Sequence, residues 1–457
     1  MTPSAPGGGR GWPPCSITST GLPTPRFSRI LCCSTGGDVS SEQSYVIAGG
    51  RPLRGAITVS GSKNAALYAI AAGLLTADTL TLRNVPRIAD IDEMAELLRG
   101  LGSHVEIDGE MVRIATPEIT CTAPPADHVL RLRASFLCMG PLLARAGVGE
   151  CVPPGGDVIG SRPLDVHFVG FRMLGAEVTR HGANWRIEAA RLHGARIFFD
   201  YPSVLGTVNV LFAAVLAQGH STIINAAPEP EVAMAARLLN AMGARITGEG
   251  TPTIEVDGVT SLHGADFAII PDRLEAGTYL LAGAATGGDV RVTNAVPNHM
   301  DSLIAKLRDM GMTVEANEEI GIRAASNGPL EAVQVQAVPY PGFATDLHPQ
   351  MAAAMTQARG LSLVHERVYD NRTLYVNELR KLGARIVTGG DSVIIEGPTQ
   401  LTGSVVRALD IRAGASVVVA GLAAEGETTV LGIGHLDRGY ADLEEKLQAL
   451  GAEITRR

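Results

Sequence analysis

The segments LLRGLGSHVEI (97–107), FRMLGAEVTR (171–180), LLNAMGARITG (238–248), KLRDMGMTVEA (306–316), ELRKLGARIVT (378–388) and KLQALGAEITR (446–456) repeat one signature. In each, an amphipathic stretch ends on an apolar residue and a glycine, and a short alternating strand follows. The glycines are Gly102, Gly175, Gly243, Gly311, Gly383 and Gly451, at spacings of 73, 68, 68, 72 and 68 residues. A glycine just past a helix takes the left-handed conformation that closes the last turn, which explains the residue type. Leu443, Leu447 and Leu450 draw the apolar stripe of the last of these helices. Self-similarity at a near-constant period marks an architecture built by repeating one supersecondary unit.

Each unit also carries an earlier, Ala-rich segment that runs into a glycine and a β-like stretch. Examples are NAALYAIAAGLLTADTLTLRNV (64–85), VNVLFAAVLAQGHSTIINAA (208–227), TYLLAGAATGGDVRVTNAV (278–296) and ASVVVAGLAAEGETTVLGIG (415–434). A helix apolar on all sides belongs in a core. The second helix of the unit, with charges such as Glu444, Glu445 and Lys446, should be half exposed. Six such units can stack as a solenoid or close into two three-unit domains. Their near-constant length, without capping repeats, favours closure.

Composition narrows the function. The chain has 457 residues and a formal charge of −9. Its acidity argues against nucleic-acid binding, and 4% aromatics leave few platforms for stacking bases. Mean hydropathy is +0.16, yet no apolar run approaches a membrane span. The six cysteines, Cys15, Cys32, Cys33, Cys121, Cys138 and Cys151, have no zinc-site spacing, and there is no HExxH. A reduced cytoplasmic protein with no metal and no cofactor is the expectation. Residues 1–44 are rich in Gly, Pro, Ser and Thr, carry no acid before Asp38, and read as a disordered extension. Folded sequence is expected from Tyr45, where an alternating strand pattern begins.

Basic residues recur where helices should begin. They are Lys63, beside Asn64, and Arg133, Arg162, Arg372 and Arg438. Helix N-termini are partly positive and favour acids, so cations placed there point to an anion held between side chains and backbone N–H groups. PPGGDVIGSRP (153–163) is not a phosphate-binding loop of the Walker type, because no GK[ST] closes it. It reads as a mobile lid carrying one acid, Asp157, and one guanidinium, Arg162. Asp346, Glu229, Asp272 and Asp410 read as N-caps. Arg412 with Asp410, and Arg273 with Glu275, read as ion pairs.

With SGSKNAAL (60–67), LRAS (132–135), GGDVIGSRP (155–163), YPSVLGT (201–207), PDRLEAGT (271–278), TDLHPQ (345–350), YDNR (369–372), LDIRA (409–413) and HLDRGY (435–440), the six units resemble the UDP-N-acetylglucosamine 1-carboxyvinyltransferases. The likeness runs from about residue 45 to the C-terminus. It implies an α/β (α+β) fold, the inside-out α/β barrel: two pseudo-threefold domains built from six βαβαββ-like repeats. One domain would span 64–270. The other would join 45–63 to 271–457, giving a double-stranded hinge.

The implied reaction moves the enolpyruvyl group of phosphoenolpyruvate to the 3′-hydroxyl of UDP-N-acetylglucosamine and releases phosphate. This is the first committed step toward peptidoglycan precursors, and so toward cell-wall biogenesis, cell shape and division. Lys63 would bind phosphoenolpyruvate, with Asn64 beside it. Arg162 and Arg438 would clamp phosphate and carboxylate, and Arg133 would support the nucleotide-sugar site. Asp346 would act as base at the sugar hydroxyl. Arg162, Pro163, Leu164, Asp165 and Val166 would hold the uridine. Ser203 and Val204 would contact the diphosphate, and Val368 the sugar.

Many members carry a proton-donating cysteine, the target of fosfomycin, where this chain has Asp157. An aspartic acid can take that role if it is kept protonated, which predicts an active enzyme insensitive to fosfomycin. Tyr201, Pro228 and Ala344 stand where a basic residue, an Arg and a Pro are frequent. The alternatives are a paralogue with another acceptor, such as shikimate 3-phosphate, and a binding-only paralogue.

Overall fold

Residues 43–457, apart from Val158, are described by a computed structural model. The expectation for residues 1–44 lies, except for Gln43 and Ser44, outside the described residues.

The six glycines do what their spacing predicts. Each has φ between 90° and 107°. Each follows a helix end with a paired closure, as where Gly102 N–H donates to the Arg99 carbonyl and Ser103 N–H to the Leu98 carbonyl. The closure recurs from Gly451 to Gln448 and from Ala452 to Leu447. A second repeated device has no counterpart in the sequence reading. Asn84, Asn225 and Asn294 take positive φ after the strand of their units. Their side-chain amides donate to the carbonyls of Ile269, Phe199 and Val59. Asn tolerates the left-handed region because its short polar side chain can bond locally.

Five units run through a buried helix, a strand, an amphipathic helix and two strands; the sixth ends on Glu453–Arg456 and takes Ser44–Ala48 as its second strand. In the first these are Lys63–Ala72, Leu80–Arg83, Ala89–Gly100, His104–Asp108 and Met111–Ala115. The Ala-rich helices are interior, as expected. Lys63–Ala72, Val204–Ala214, Arg273–Ala285, His348–Met355 and Ile411–Ala423 are buried almost throughout. The helix Leu443–Ala449 buries Leu443 and Leu447 and leaves Glu445 exposed. Its Leu stripe faces inward because residues three and four apart share a helix face.

Six sheets lie around these helices. Their strands alternate, so one face is buried and the other meets solvent. The buried side chains form two cores. One holds Tyr45, Ile47, Leu53, Ile57 and Val59 together with residues from Leu274 to Ile454. There the helices Arg273–Ala285, His348–Met355 and Ile411–Ala423 pack on one another. The other core runs from Ala65 to Ile269 and includes Ala441. Helices thus form the interior and sheets the outside.

The N-terminal strand explains the mixed membership. Ser44–Ala48 lies antiparallel between Glu427–Leu431 and Glu453–Arg456, and Arg54–Thr58 runs parallel to Asp289–Thr293. The chain then passes from one core to the other twice, side by side. Ser62 N–H donates to the Ile270 carbonyl and Asp272 N–H to the Ser60 carbonyl. Among the described residues no helix is long and apolar enough to cross a membrane.

Candidate active site

One helix N-terminus from each of the six units reaches a single cavity of about 500 Å³. The contributing residues are Lys63 and Asn64, Arg133 and Ala134, Ser203 to Leu205, Arg273 and Leu274, Thr345 and Asp346, and Ile411 and Arg412. The buried-helix repeat thereby aims six partly positive ends at one volume. Lys63, Arg133, Arg162, Arg273, Arg372, Arg412 and Arg438 line it against six acids, so a chain of net charge −9 has a cationic excess here. Every site residue expected from the sequence lines the cavity except Leu164, which packs against the neighbouring core.

Lys63 Nζ and Asp90 Oδ2 lie 2.6 Å apart, both almost fully buried. Arg438 Nε donates to the other Asp90 oxygen at 2.8 Å, and its Nη1 donates to Asp157 Oδ1 at 2.8 Å. Burial works to raise Asp90, but Lys63 and Arg438 overcome it and hold the carboxyl below its ordinary range. At Lys63 burial prevails over Asp90 and lowers the ammonium pKa. Sequence reasoning missed Asp90, which looks like any acid in the first turn of an amphipathic helix.

Asp346 does not cap a helix. It sits inside the first turn of the 3-10 segment Thr345–Leu347, whose N-cap position is Ala344. Arg372 Nη1 meets its Oδ1 at 2.9 Å and Arg412 Nε its Oδ2 at 3.1 Å. Burial opposes ionisation, yet the two guanidinium groups hold this carboxyl well below the ordinary range. This corrects the expected Arg412–Asp410 ion pair. Asp410 instead caps its helix, accepting from the backbone N–H groups of Arg412 and Ala413. Arg273 likewise pairs with Glu231 at 2.9 Å, while Glu275 pairs with Lys446. A sequence neighbour was the wrong partner in both cases, because side chains two positions apart on a helix point to different faces. Asp272 is an N-cap as expected; Glu229 makes no cap hydrogen bond.

The Gly-rich segment lies over the cavity, with Asp157, Ile159, Ser161 and Arg162 among the lining residues. Arg133, its pKa pushed down to about 10 by burial and then by Arg162, donates to the carbonyls of Pro154 and Arg162. Arg162 donates to the Asp157 carbonyl. Ser161 N–H donates to Asp370 of the opposite core at 2.9 Å. Val368 and Tyr369 are set by their N–H groups, which donate to Glu366. Among the described residues no group of three His, Cys, Asp or Glu could hold a metal.

Comparison with known proteins gives one consistent neighbourhood. The family model for EPSP synthase (3-phosphoshikimate 1-carboxyvinyltransferase) matches residues 47–447. A UDP-N-acetylglucosamine 1-carboxyvinyltransferase 3 of Caldanaerobacter subterraneus is 46% identical over 91% of this chain and 99% of its own. A UDP-N-acetylglucosamine 1-carboxyvinyltransferase of Magnetococcus marinus is 48% identical over 90% of this chain and 98% of its own. Among solved structures, the enolpyruvyl transferase NikO of Streptomyces tendae superposes with a TM-score of 0.81 at 26% identity, covering 91% of this chain and 99% of its own.

Proposed function

The chain belongs to the enolpyruvyl transferases and, among them, to the UDP-N-acetylglucosamine 1-carboxyvinyltransferases, and on that premise we propose that it transfers the enolpyruvyl group of phosphoenolpyruvate to the 3′-hydroxyl of UDP-N-acetylglucosamine, releasing phosphate. The observation that carries this reading is the convergence of six helix N-termini and seven cationic side chains on one cavity. Phosphoenolpyruvate brings a phosphate and a carboxylate, and the nucleotide sugar a diphosphate. Helix ends and guanidinium groups suit all of them.

Lys63 and Arg438 hold the phosphate and carboxylate of phosphoenolpyruvate, and Arg162 joins them from the lid. Asp346, fixed by Arg372 and Arg412, aligns the sugar hydroxyl. It is a weak base in this setting, so it accepts the proton only as attack proceeds and the hydroxyl becomes acidic. Asp157 supplies the proton to the alkene carbon. For that its ion pair with Arg438 must open and the released carboxylate must take up a proton from solvent before the attack; transfer of Arg438 to the incoming phosphate is the event that opens the pair. In the collapse of the tetrahedral adduct the methyl carbon returns a proton to the Asp157 carboxylate, the double bond re-forms and the C–O bond to phosphate breaks, with the fixed cations taking up the charge of the leaving phosphate. Arg133, Pro163, Asp165, Val166, Ser203, Val204 and Val368 hold the nucleotide sugar, with Asn64 beside Lys63, while Leu164 anchors its segment to the core.

In this reading the two cores are domains, 64–270 and 45–63 with 271–457, that close on the substrates. The enzyme works in the cytoplasm at the entry to peptidoglycan synthesis, and thereby in cell-wall biogenesis, cell shape, cell cycle and division. It needs no cofactor or metal and engages neither nucleic acid nor membrane.

The test is phosphate release from purified protein given phosphoenolpyruvate and UDP-N-acetylglucosamine, with each substrate omitted in turn. Release only when both are present is expected. Release with shikimate 3-phosphate instead, or none with either acceptor, overturns the reading.

A further inference from the structure

Among the described residues Glu229 is the one acid with a buried side-chain oxygen that meets no hydrogen-bond partner. Asp90, Asp157, Glu231 and Asp346 each pair with an arginine or lysine. Glu229 is 8% exposed and lies at the start of the helix Pro230–Ala241. Its Oε1 accepts from Tyr340 N–H at 3.4 Å, while its buried Oε2 has no hydrogen-bond partner among the described residues. Such an orphan is costly unless a ligand meets it.

We propose that Glu229 is a substrate-binding residue that engages the nucleotide sugar as a neutral carboxylic acid, donating from Oε2 to a substrate oxygen. The inference deepens the function proposed above and rests on it. A carboxylate at this position would face an anionic ligand with like charge and nothing to donate. The neutral acid has a proton to give.

The surroundings keep that proton in place. Burial, ahead of every other influence, pushes Glu229 up to about 7. The backbone N–H of Glu229 itself, then Arg273 and the N–H of Tyr340, work against this, but the Arg273 guanidinium is already engaged by Glu231, whose charge raises Glu229 further. Tyr68 faces it from the helix Lys63–Ala72, and Tyr201 from the loop before Val204–Ala214. Tyr201 is itself pushed up to about 12 by burial and stays neutral. The histidine lining the cavity, His167, is held at about 3 and does not titrate near neutrality.

The test is calorimetric binding of UDP-N-acetylglucosamine alone, whose diphosphate does not titrate in this interval, between pH 6 and pH 8. Repeating it in buffers of different ionisation enthalpy counts protons. Because only the protonated fraction binds well, affinity is expected to weaken roughly five- to tenfold over the interval. Proton uptake on binding should grow toward pH 8. Glu229→Gln, which keeps a donor and cannot titrate, should bind with a flat profile and no linked proton. A wild-type profile that is flat, or one that Glu229→Gln reproduces, overturns the inference. Proton counting on the wild type stands even if the variant fails to fold. If the wild type does not bind UDP-N-acetylglucosamine at any pH, the proposed function fails instead.

Discussion

Two carboxyl groups carry the predictions that belong to single residues. Asp157 is where a thiol would make the site alkylable, and a carboxylate is a poor nucleophile toward an epoxide. Fosfomycin is therefore expected to leave the wild type active, and Asp157→Cys to be inactivated progressively in a time-course assay. A variant that stays insensitive defeats that account. Glu229 makes a different prediction, about stability. Its folded pKa of about 7 exceeds the ordinary 4.5, so the folded state holds this proton more tightly than the unfolded chain. The stabilisation is complete below about 4.5 and is lost as pH rises through about 7. The loss amounts to about 3 kcal/mol at most. Denaturant titrations should show Glu229→Gln gaining on the wild type between pH 5 and pH 8, and equal slopes would contradict it. Lys63 and Arg133 were legible because cations at helix starts violate the usual preference for acids there. The partners of Arg273 and Arg412 were not, since they come from other units.

The helix closures are the devices of the element scale, and they differ in what surrounds them. A Cβ at Gly311 would meet nothing within 4 Å, so Gly311→Ala pays only for a left-handed backbone, about 1–2 kcal/mol. At Gly102 an added Cβ would lie 2.6 Å from the Glu118 carbonyl oxygen and 2.8 Å from Thr120 Oγ1. Gly102→Ala should therefore destabilise measurably more than Gly311→Ala in equilibrium unfolding. If the two cost the same, backbone conformation alone governs both sites. The glycines and the Ala-rich helices could be found from sequence because both depend on local geometry and apolar content. The positive-φ asparagines could not, because each amide answers a carbonyl on a neighbouring strand or crossing segment.

At the scale of the whole molecule, the two cores are joined by a double crossing at residues 60–62 and 270–272. Further ties across the cavity are polar: Arg438 to Asp90, Arg273 to Glu231, and Ser161 N–H to Asp370. Polar contacts of this kind exchange readily for contacts to an anion or to water, whereas the cores themselves cannot rearrange cheaply. A hinge and a replaceable interface are what closure requires. Small-angle scattering should show the radius of gyration falling when UDP-N-acetylglucosamine is added. An unchanged radius with bound ligand would leave the cores a rigid frame.

The sequence by itself determined the repeat, the burial of the Ala-rich helices and the family, since these follow from periodicity, composition and ordered motifs. It also pointed to the cationic set, although only Lys63 and Arg133 of that set open helices; Arg162 and Arg372 precede theirs by three residues, and Arg438 is the C-cap of the short helix Gly434–Asp437. Only the tertiary structure decided that one helix from every unit aims its N-terminus at the same cavity. It alone decided that Asp90 links Lys63 to Arg438, that Asp346 lies between two arginines, and that Glu229 keeps an oxygen without a partner. Each of these depends on groups brought together from far apart along the chain, and the strength of a charge depends on the partners and the burial it finds there.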